Sequence, residues 1–245
     1  MAESTMLRKG VQGVIMRAYR ARDYEITVTA ARDVGPYYRR LSFAAPELLA
    51  AHPPYPTMWI RLWCPGPDRL YQRAFTLVDP DVEAGTFDLE FAMHDHGYAM
   101  DLARTAGPGD VVQVSVLTRD DYVAPDPMPP GFAIVADPAS LPAVNSVLAS
   151  LPDQVQVRLW FGRQHPEDEL LPIVPHPGLQ VTWVPHEELA ARLGEGIDKV
   201  AGWYGWVCVD TVQTRSIKEI LRAATGAGKR GIHAMGYWTR DRATG

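Results

Sequence analysis

Cysteine is nearly absent from the 245 residues: Cys64 and Cys208, far apart in the chain, are the whole complement. With no C-x-x-C pair and no four-cysteine cluster, zinc and iron–sulfur centres built on thiolates are excluded. Both cysteines are expected as buried small hydrophobes in a reducing cytosol. No apolar run reaches the ~18 residues of a membrane span. Residues 1–10 carry no apolar core of the kind a signal peptide needs, so none is expected. Lysine is scarce too, with arginine supplying most of the 24 basic residues, and the net charge of −5 argues against general nucleic-acid binding. What remains is an ordinary soluble globular composition, 47% apolar and 22% charged. The basic residues crowd the first forty positions (Arg8, Lys9, Arg17, Arg20, Arg22, Arg32, Arg39, Arg40). A solvated basic face is the plainer reading, and a surface facing an anionic ligand or partner the sharper one.

Two rhythms divide the chain. In the first half apolar residues alternate with polar ones, a period of two that predicts strands. Tyr24, Ile26, Val28 and Ala30 alternate with Glu25, Thr27 and Thr29; Phe87, Leu89, Phe91 and Met93 with Asp88 and Glu90; Val112, Val114 and Val116 repeat the pattern. Segments 57–64 and 72–78 are apolar-rich and bounded by Pro and Gly clusters. About six strands with one short helix near 98–105 predict an antiparallel β-barrel. The proline-rich segment 123–131 reads as a stiff linker. Beyond it strands near 132–136, 155–161, 179–184, 204–209 and 231–237 alternate with helices near 140–150, 186–193 and 211–225. That alternation predicts a parallel, wound sheet. Asp210 with Gln213 reads as a capping box for the last helix. The expected domains are a barrel over 1–125 and an α/β domain over 130–245, with a cleft between them as the default ligand place.

Three stretches carry chemistry. Arg73-Ala74-Phe75-Thr76, read at the start of a strand, sets a guanidinium suited to a phosphate oxygen on the same strand face as an aromatic ring, with a hydroxyl beside it. His94-Asp95-His96-Gly97-Tyr98-Ala99-Met100 ends a strand, and Gly97 turns the chain into a helix whose first N–H groups suit a pyrophosphate. His94 and His96, read on one strand face, make a metal pair conceivable, but no third ligand lies near in sequence, and surface histidines are the plainer reading. Asp137-Pro138-Ala139-Ser140-Leu141-Pro142-Ala143 follows the first strand of the second domain, the ligand end of a wound sheet. That turn lacks G-x-G-x-x-G, and its plain reading is a helix N-cap at Ser140.

In this order, across a barrel-then-α/β chain, the three stretches resemble the siderophore-interacting protein family, flavin reductases of the ferredoxin-reductase superfamily. The family's Arg-x-Tyr-[Ser/Thr] is similar to Arg73–Thr76, with Phe75 in the tyrosine place. Its His-x-x-Gly-Pro-Ala-x-x-Trp-Ala is similar to His94, Gly97, Ala99 and Ala103, with Tyr98 for Pro and Leu102 for Trp. Pro108-Gly109-Asp110, the run from Ala136 to Ala143, and Gly236-Tyr237-Trp238 match further family positions. Within the family the likeness is to the cytosolic domain of mycobacterial ABC-type importers of ferric mycobactins, carried by Gly10-Val11-Gln12-Gly13-Val14, Asp137–Asn145 and Tyr237–Gly245. Two family segments differ: Ala-Gly-Glu is Cys208-Val209-Asp210 here, and Leu117-Thr118-Arg119-Asp120 replaces Gly-Pro-x-Gly.

The resemblance implies a ferredoxin-reductase-like fold, bound FAD, NAD(P)H as co-substrate, and ferric-siderophore reduction in the cytoplasm. It implies Arg73 on the pyrophosphate, Phe75 and Ala74 against the isoalloxazine, and Thr76 as the catalytic hydroxyl near its N5. His94 and the Gly97–Met100 turn would hold the ribityl and phosphate portion. The nicotinamide nucleotide would enter at the turn from Asp137 through Ala139 to Ser140, and Trp238 would approach the flavin. Lys218, Arg222 and Arg240 are candidates to attract an anionic ferric siderophore. No protein-bound metal is expected. A transporter at the inner face of the plasma membrane is an implied partner, and a monomer is expected. The alternative is a docking module that binds FAD and siderophore without nucleotide-dependent activity of its own.

Overall fold

The computed structural model describes residues 9–18, 21–117 and 122–239, and for Ile15, Arg17 and Lys229 the backbone only. The chain forms two compact units that divide between residues 121 and 122. Among the described residues no helix is long and apolar enough to cross a membrane.

The first unit opens with helix α1 (Gly10–Ala18), then strands β1 (Arg22–Gly35) and β2 (Tyr38–Ala44) and helix α2 (Pro46–Ala51). Strands β3 (Trp59–Pro65), β4 (Leu70–Thr76), β5 (Val78–Asp81) and β6 (Thr86–Ala92) follow. Helix α3 (Tyr98–Thr105) and strand β7 (Val111–Val116) complete it. The seven strands make one antiparallel sheet in the order β4-β3-β7-β1-β2-β6-β5. It has one strand more than expected and is a half-barrel rather than a closed barrel, curled so that Phe75 of β4 packs on Phe91 of β6. The curl follows from the alternation: Ile26, Leu41, Phe43, Ile60, Leu62, Phe87, Leu89 and Val114 all turn inward and are buried. Each such side chain contributes roughly 1.5–3 kcal/mol on burial. Helix α3, at the expected place, puts Ala99, Met100 and Ala103 into this core. On the other sheet face Glu90 is buried, held by Tyr38 Oη at 3.0 Å and Arg40 Nε at 2.9 Å. Arg39 pairs with Asp33 and Lys9 with Asp23, so much of the early basic cluster is neutralised in place.

The second unit runs β8 (Gly131–Ala136), α4 (Leu141–Ser150), β9 (Gln156–Arg163), β10 (Leu179–Pro185), α5 (Leu189–Gly196), β11 (Tyr204–Asp210), α6 (Thr211–Thr225) and β12 (Ile232–Trp238). Its five strands are all parallel, in the order β10-β9-β8-β11-β12. The wound sheet expected from the alternation is therefore present. β8 and β11 are buried along their whole length, as central parallel strands must be. Ala133, Val135, Val207 and Val209 meet Leu189 and Leu193 of α5 and Ile217 and Leu221 of α6. The winding reverses between β8 and β11, so the residues just past those two strands sit at the topological switch point, where wound sheets bind ligands. Asp137 follows β8, and Asp210 ends β11.

Candidate functional site

Register decides what β4 can offer. Phe75 lies opposite Ile60, Arg73 opposite Leu62 and Tyr71 opposite Cys64, so these three side chains share the inward face of the sheet. The arginine stretch closes β4 rather than opening it, which corrects the expected placement. Arg73 is half-buried, and its Nη1 donates to the Gln72 carbonyl at 2.6 Å. Among the described residues no carboxylate pairs with it. Its charge is near enough to act on both the Cys64 thiol and the His94 ring. On either side stand aromatic rings: Phe75 tilts on Phe91 at 4.5 Å, and Tyr71 on Tyr98 at 4.5 Å. Arg69 lies over Tyr71 at 4.7 Å. Buried Arg69 Nε and Gln72 Oε1 find no hydrogen-bond partner. Ala74 and Thr76 belong to the opposite strand face, Ala74 exposed and Thr76 beside Trp59.

The second stretch begins past the end of β6, so His94 and His96 lie in a bend and not on a strand face. Among the described residues no group of three or more His, Cys, Asp or Glu could hold a metal. Gly97 has φ +125°, a conformation closed to other residues, and it starts α3 with no side-chain cap. The first N–H groups of α3 are thus left for water or a ligand. Ala99 and Met100 send their side chains into the core, so only their backbone is available there. Arg104 Nη2 donates to the His94 carbonyl, and partial desolvation together with Arg104 lowers the His94 pKa. Tyr71 and Arg104 were missed by the sequence reading. Tyr71 was findable, two residues before Arg73 on the same strand face; Arg104 lies ten residues from its partner in no recognisable pattern.

These residues fit a flavin dinucleotide. A guanidinium without a carboxylate partner sits between aromatic rings on one strand face, and a helix start without a side-chain cap lies close by. The conformation of Gly97 leaves that helix start open, since a Cβ there would meet only His94 Cε1, at 3.5 Å.

In the second unit the Asp137 carboxylate is fully buried. Oδ1 accepts from the backbone N–H groups of Ala139 at 3.0 Å and Ser140 at 3.2 Å, and Oδ2 accepts from the Trp238 indole at 2.7 Å. The Ser140 hydroxyl accepts from the Asp137 N–H at 3.0 Å. Asp137 is therefore the capping residue of this turn, and Ser140, expected in that role, is its reciprocal partner. Burial pushes the Asp137 carboxyl up to about 6, against the opposing pull of Trp238, His186 and the two backbone donors. Of this stretch only Ala139 is exposed.

Beside it, His186 Nε2 lies 3.1 Å from Asp210 Oδ2, and Nδ1 lies 3.9 Å from Asp137 Oδ2. Asp210 Oδ1 caps α6 through Val212 N–H and Gln213 N–H. Gln213 Nε2 donates to Asp210 Oδ2 and to the His186 carbonyl instead of returning to the Asp210 N–H, so the expected capping box is replaced by a bridge. Nothing in the sequence signals His186, which follows a proline at a strand end. Cys64 and Cys208 are buried and not disulfide-bonded, as expected; burial raises Cys64 to about 12 and Cys208 well above its ordinary value. Lys218 lies half-buried on α6, Arg222 is ion-paired with Glu219 at 2.7 Å, and Arg240 lies outside the described residues, as do Arg119 and Asp120.

Comparison with known proteins agrees with this geometry. Residues 40–116 match the siderophore-interacting FAD-binding domain, and residues 129–241 match the siderophore-interacting protein family. The mycobactin import ATP-binding/permease protein IrtA of Mycolicibacterium smegmatis is 32% identical over 98% of this chain, and that of Mycobacterium tuberculosis 31%. The chain spans only 28% of the length of these relatives. Among solved structures, the siderophore-interacting protein SipS from Aeromonas hydrophila superposes with a TM-score of 0.77 at 22% identity, covering 91% of this chain and 93% of that one. A siderophore utilization protein from T. fusca gives 0.80 at 20%, covering 91% and 94%. A ferredoxin NADP+ reductase from Neisseria gonorrhoeae gives 0.67 at 12%, covering 89% and 100%. The fold is that of the ferredoxin reductases, the first unit matches a siderophore-interacting FAD-binding domain, and the second unit matches the siderophore-interacting protein family over nearly its whole length.

Proposed function

We propose that the chain is an FAD-dependent ferric-siderophore reductase that takes electrons from NAD(P)H. The observation that carries the reading is Arg73, a half-buried guanidinium with no carboxylate partner among the described residues, set between Tyr71 and Phe75 on one strand face. Such a fork suits a pyrophosphate, and the flanking rings suit a flat ligand. Bound FAD would supply the chemistry, accepting a hydride and passing electrons singly to iron.

The chain's own residues bind and orient. Arg73 and the first N–H groups of α3 hold the phosphates, and Gly97 keeps that helix start clear. Phe75, braced by Phe91, offers an aromatic edge to the ring system, with Ala74 beside it on the neighbouring face. The Thr76 hydroxyl donates near the reacting edge of the flavin. It stands on the strand face opposite Arg73 and Phe75, at the last residue of β4. His94, kept toward its neutral form, presents an imidazole to the ribityl chain without adding charge. The Asp137–Ser140 turn, with Trp238 above it, receives the nucleotide at the switch point of the wound sheet. The siderophore-bound iron is substrate: ferric ion is a harder acid than ferrous ion, so one-electron reduction loosens the chelate without breaking the ligand.

The test is anaerobic. NADH or NADPH added to the FAD-loaded chain should bleach the flavin, and added ferric siderophore should restore the colour as a ferrous chelator registers Fe(II). If neither nucleotide bleaches it and pre-reduced protein leaves the ferric siderophore unchanged, the reductase reading fails.

A second reading is a docking module that holds FAD and siderophore for a membrane transporter at the cytoplasmic face. It is favoured by one observation: the relatives that match the whole chain are import ATP-binding/permease proteins of which it spans 28%. Cys208-Val209-Asp210, in place of the family's Ala-Gly-Glu, also supports it, since those three residues are buried. Siderophore binding without nucleotide oxidation separates the two readings.

A further inference from the structure

At the switch point of the second unit an imidazole is caught between two buried carboxylates. His186 has Asp210 Oδ2 at 3.1 Å from Nε2 and Asp137 Oδ2 at 3.9 Å from Nδ1. Asp210 accepts two backbone N–H bonds on Oδ1 and the Gln213 amide on Oδ2, so it meets Nε2 as an acceptor. Nε2 therefore carries a hydrogen, which fixes the tautomer of the neutral ring. That leaves Nδ1, which is buried and finds no hydrogen-bond partner among the described residues. The place beside Nδ1 on β9 is a glycine, Gly162, where a Cβ would stand only 3.0 Å from Nδ1, so any other residue would crowd the ring. The ring backs onto Trp238 at 5.4 Å, and the His186 carbonyl is pinned by Gln213 at 2.9 Å.

A bare Nδ1 lone pair facing a bare carboxylate in a site closed to water is repulsive, whereas one proton between them makes the contact attractive. It does so from either side, as Nδ1–H toward Asp137 or as an Asp137 hydroxyl toward Nδ1. The other titratable groups in reach do not supply that proton. The Cys208 thiol on β11 stays protonated because burial raises it, Glu188 on the same turn as His186 is paired with Arg192, Glu187 is exposed, and β9 brings only Gly162 and Arg163, the latter paired with Glu169.

We propose that His186 is a positioning residue: one proton held between its Nδ1 and the Asp137 carboxylate ties the end of β10 to the end of β8 and so fixes the Trp238 indole at the C-terminal edge of the sheet. The raised Asp137 carboxyl is consistent with a proton retained there. When the proton leaves, two carboxylates and a lone pair share one buried site, His186 draws back, and Trp238 loses its backing ring. The consequence for nucleotide entry rests on the reductase reading; the shared proton does not.

The experiment is an NMR titration of the full chain with ¹⁵N-labelled histidine and tryptophan, the two signals assigned with H186Q and W238F. His186 Nδ1 and the Trp238 indole N–H are expected to move together in one pH step. In D137N, where the side-chain carbonyl still accepts from the indole but no carboxylate faces Nδ1, the common step should vanish. In H186Q, where Asp137 titrates on the indole without an imidazole beside it, the Trp238 step should be displaced in pH. In wild type, KM for NADH or NADPH should rise severalfold above the step while kcat holds; in H186Q that rise should be gone. Should His186 Nδ1 show no step across the titration, or the Trp238 signal shift without it, the proposal is overturned. If the step is present but no nucleotide is oxidised, the shared proton stands and the reductase reading alone falls.

Discussion

The two candidate ligand stretches handle their polar groups in opposite ways. At the end of β4, Arg73 is half-buried, bonds among the described residues only to the carbonyl next to it, and stands among rings that leave it accessible. At the end of β8, Asp137 is sealed, with two backbone donors, an indole and an imidazole around one carboxylate. The first is unfinished without a ligand; the second is complete by itself. Both follow from strand geometry. A guanidinium on a sheet edge has solvent to turn to, whereas a carboxylate at the mouth of a central parallel strand must find every partner inside the protein. The lesson is that a polar side chain at a strand end is left open at a sheet edge and saturated at a sheet centre, so on the reductase reading Arg73 would offer its side chain to a ligand and the Asp137 turn only its exposed Ala139.

The contrast can be broken by substitution. D137A strips the acceptor from three N–H groups in a dry site and should cost about 2–4 kcal/mol by urea unfolding of the second unit. A change under about 0.5 kcal/mol would mean that Asp137 is no more locked than Arg73. Next comes pH. Because burial raises the Asp137 carboxyl from 3.8 to about 6, its folded form holds a proton that the unfolded chain gives up sooner. Its contribution, up to about 3 kcal/mol, is complete below about pH 4 and is lost as pH rises through about 6. D137N should flatten that part of the stability–pH curve.

R73A should leave stability within about 0.5 kcal/mol yet weaken FAD binding by about 10- to 100-fold, measured by fluorescence titration. F75A removes a half-buried ring packed on Phe91 and should cost about 1–2 kcal/mol while also loosening the flavin. The smallest expected effect on stability is that of T76A, below about 0.5 kcal/mol, with a slower anaerobic reduction of bound flavin as its signature.

How much of this was legible beforehand depends on which force shapes each segment. Helices α3 and α6 fall where apolar spacing and the Gly97 and Asp210 starts put them, because local capping and one buried face decide those elements. Strand β2 escaped notice because Tyr38, Arg40 and Ser42 form its polar face. Its register is set by the distant partner Glu90 and not by any pattern within β2 itself. Helix α1 was hidden by Gly10 and Gly13, poor helix formers that tertiary contacts override. In the candidate sites, Arg73 and Phe75 were readable as neighbours on one strand face. The reversed orientation of Thr76 needs the register with β3, and the inward turn of Ala99 and Met100 needs the curl of the sheet. The His186 cluster was beyond reach, since it gathers side chains from the ends of four strands that only the winding brings together.

The two thiols have a practical corollary. On the reductase reading the chain would meet hydrogen peroxide during turnover in air, and sulfenic acid forms on thiolates that solvent can reach. Cys64 and Cys208 offer neither condition, being enclosed and held in the S–H form. Turnover under oxygen should therefore leave both sulfurs unmodified, and a maleimide dye should label the chain only as it denatures.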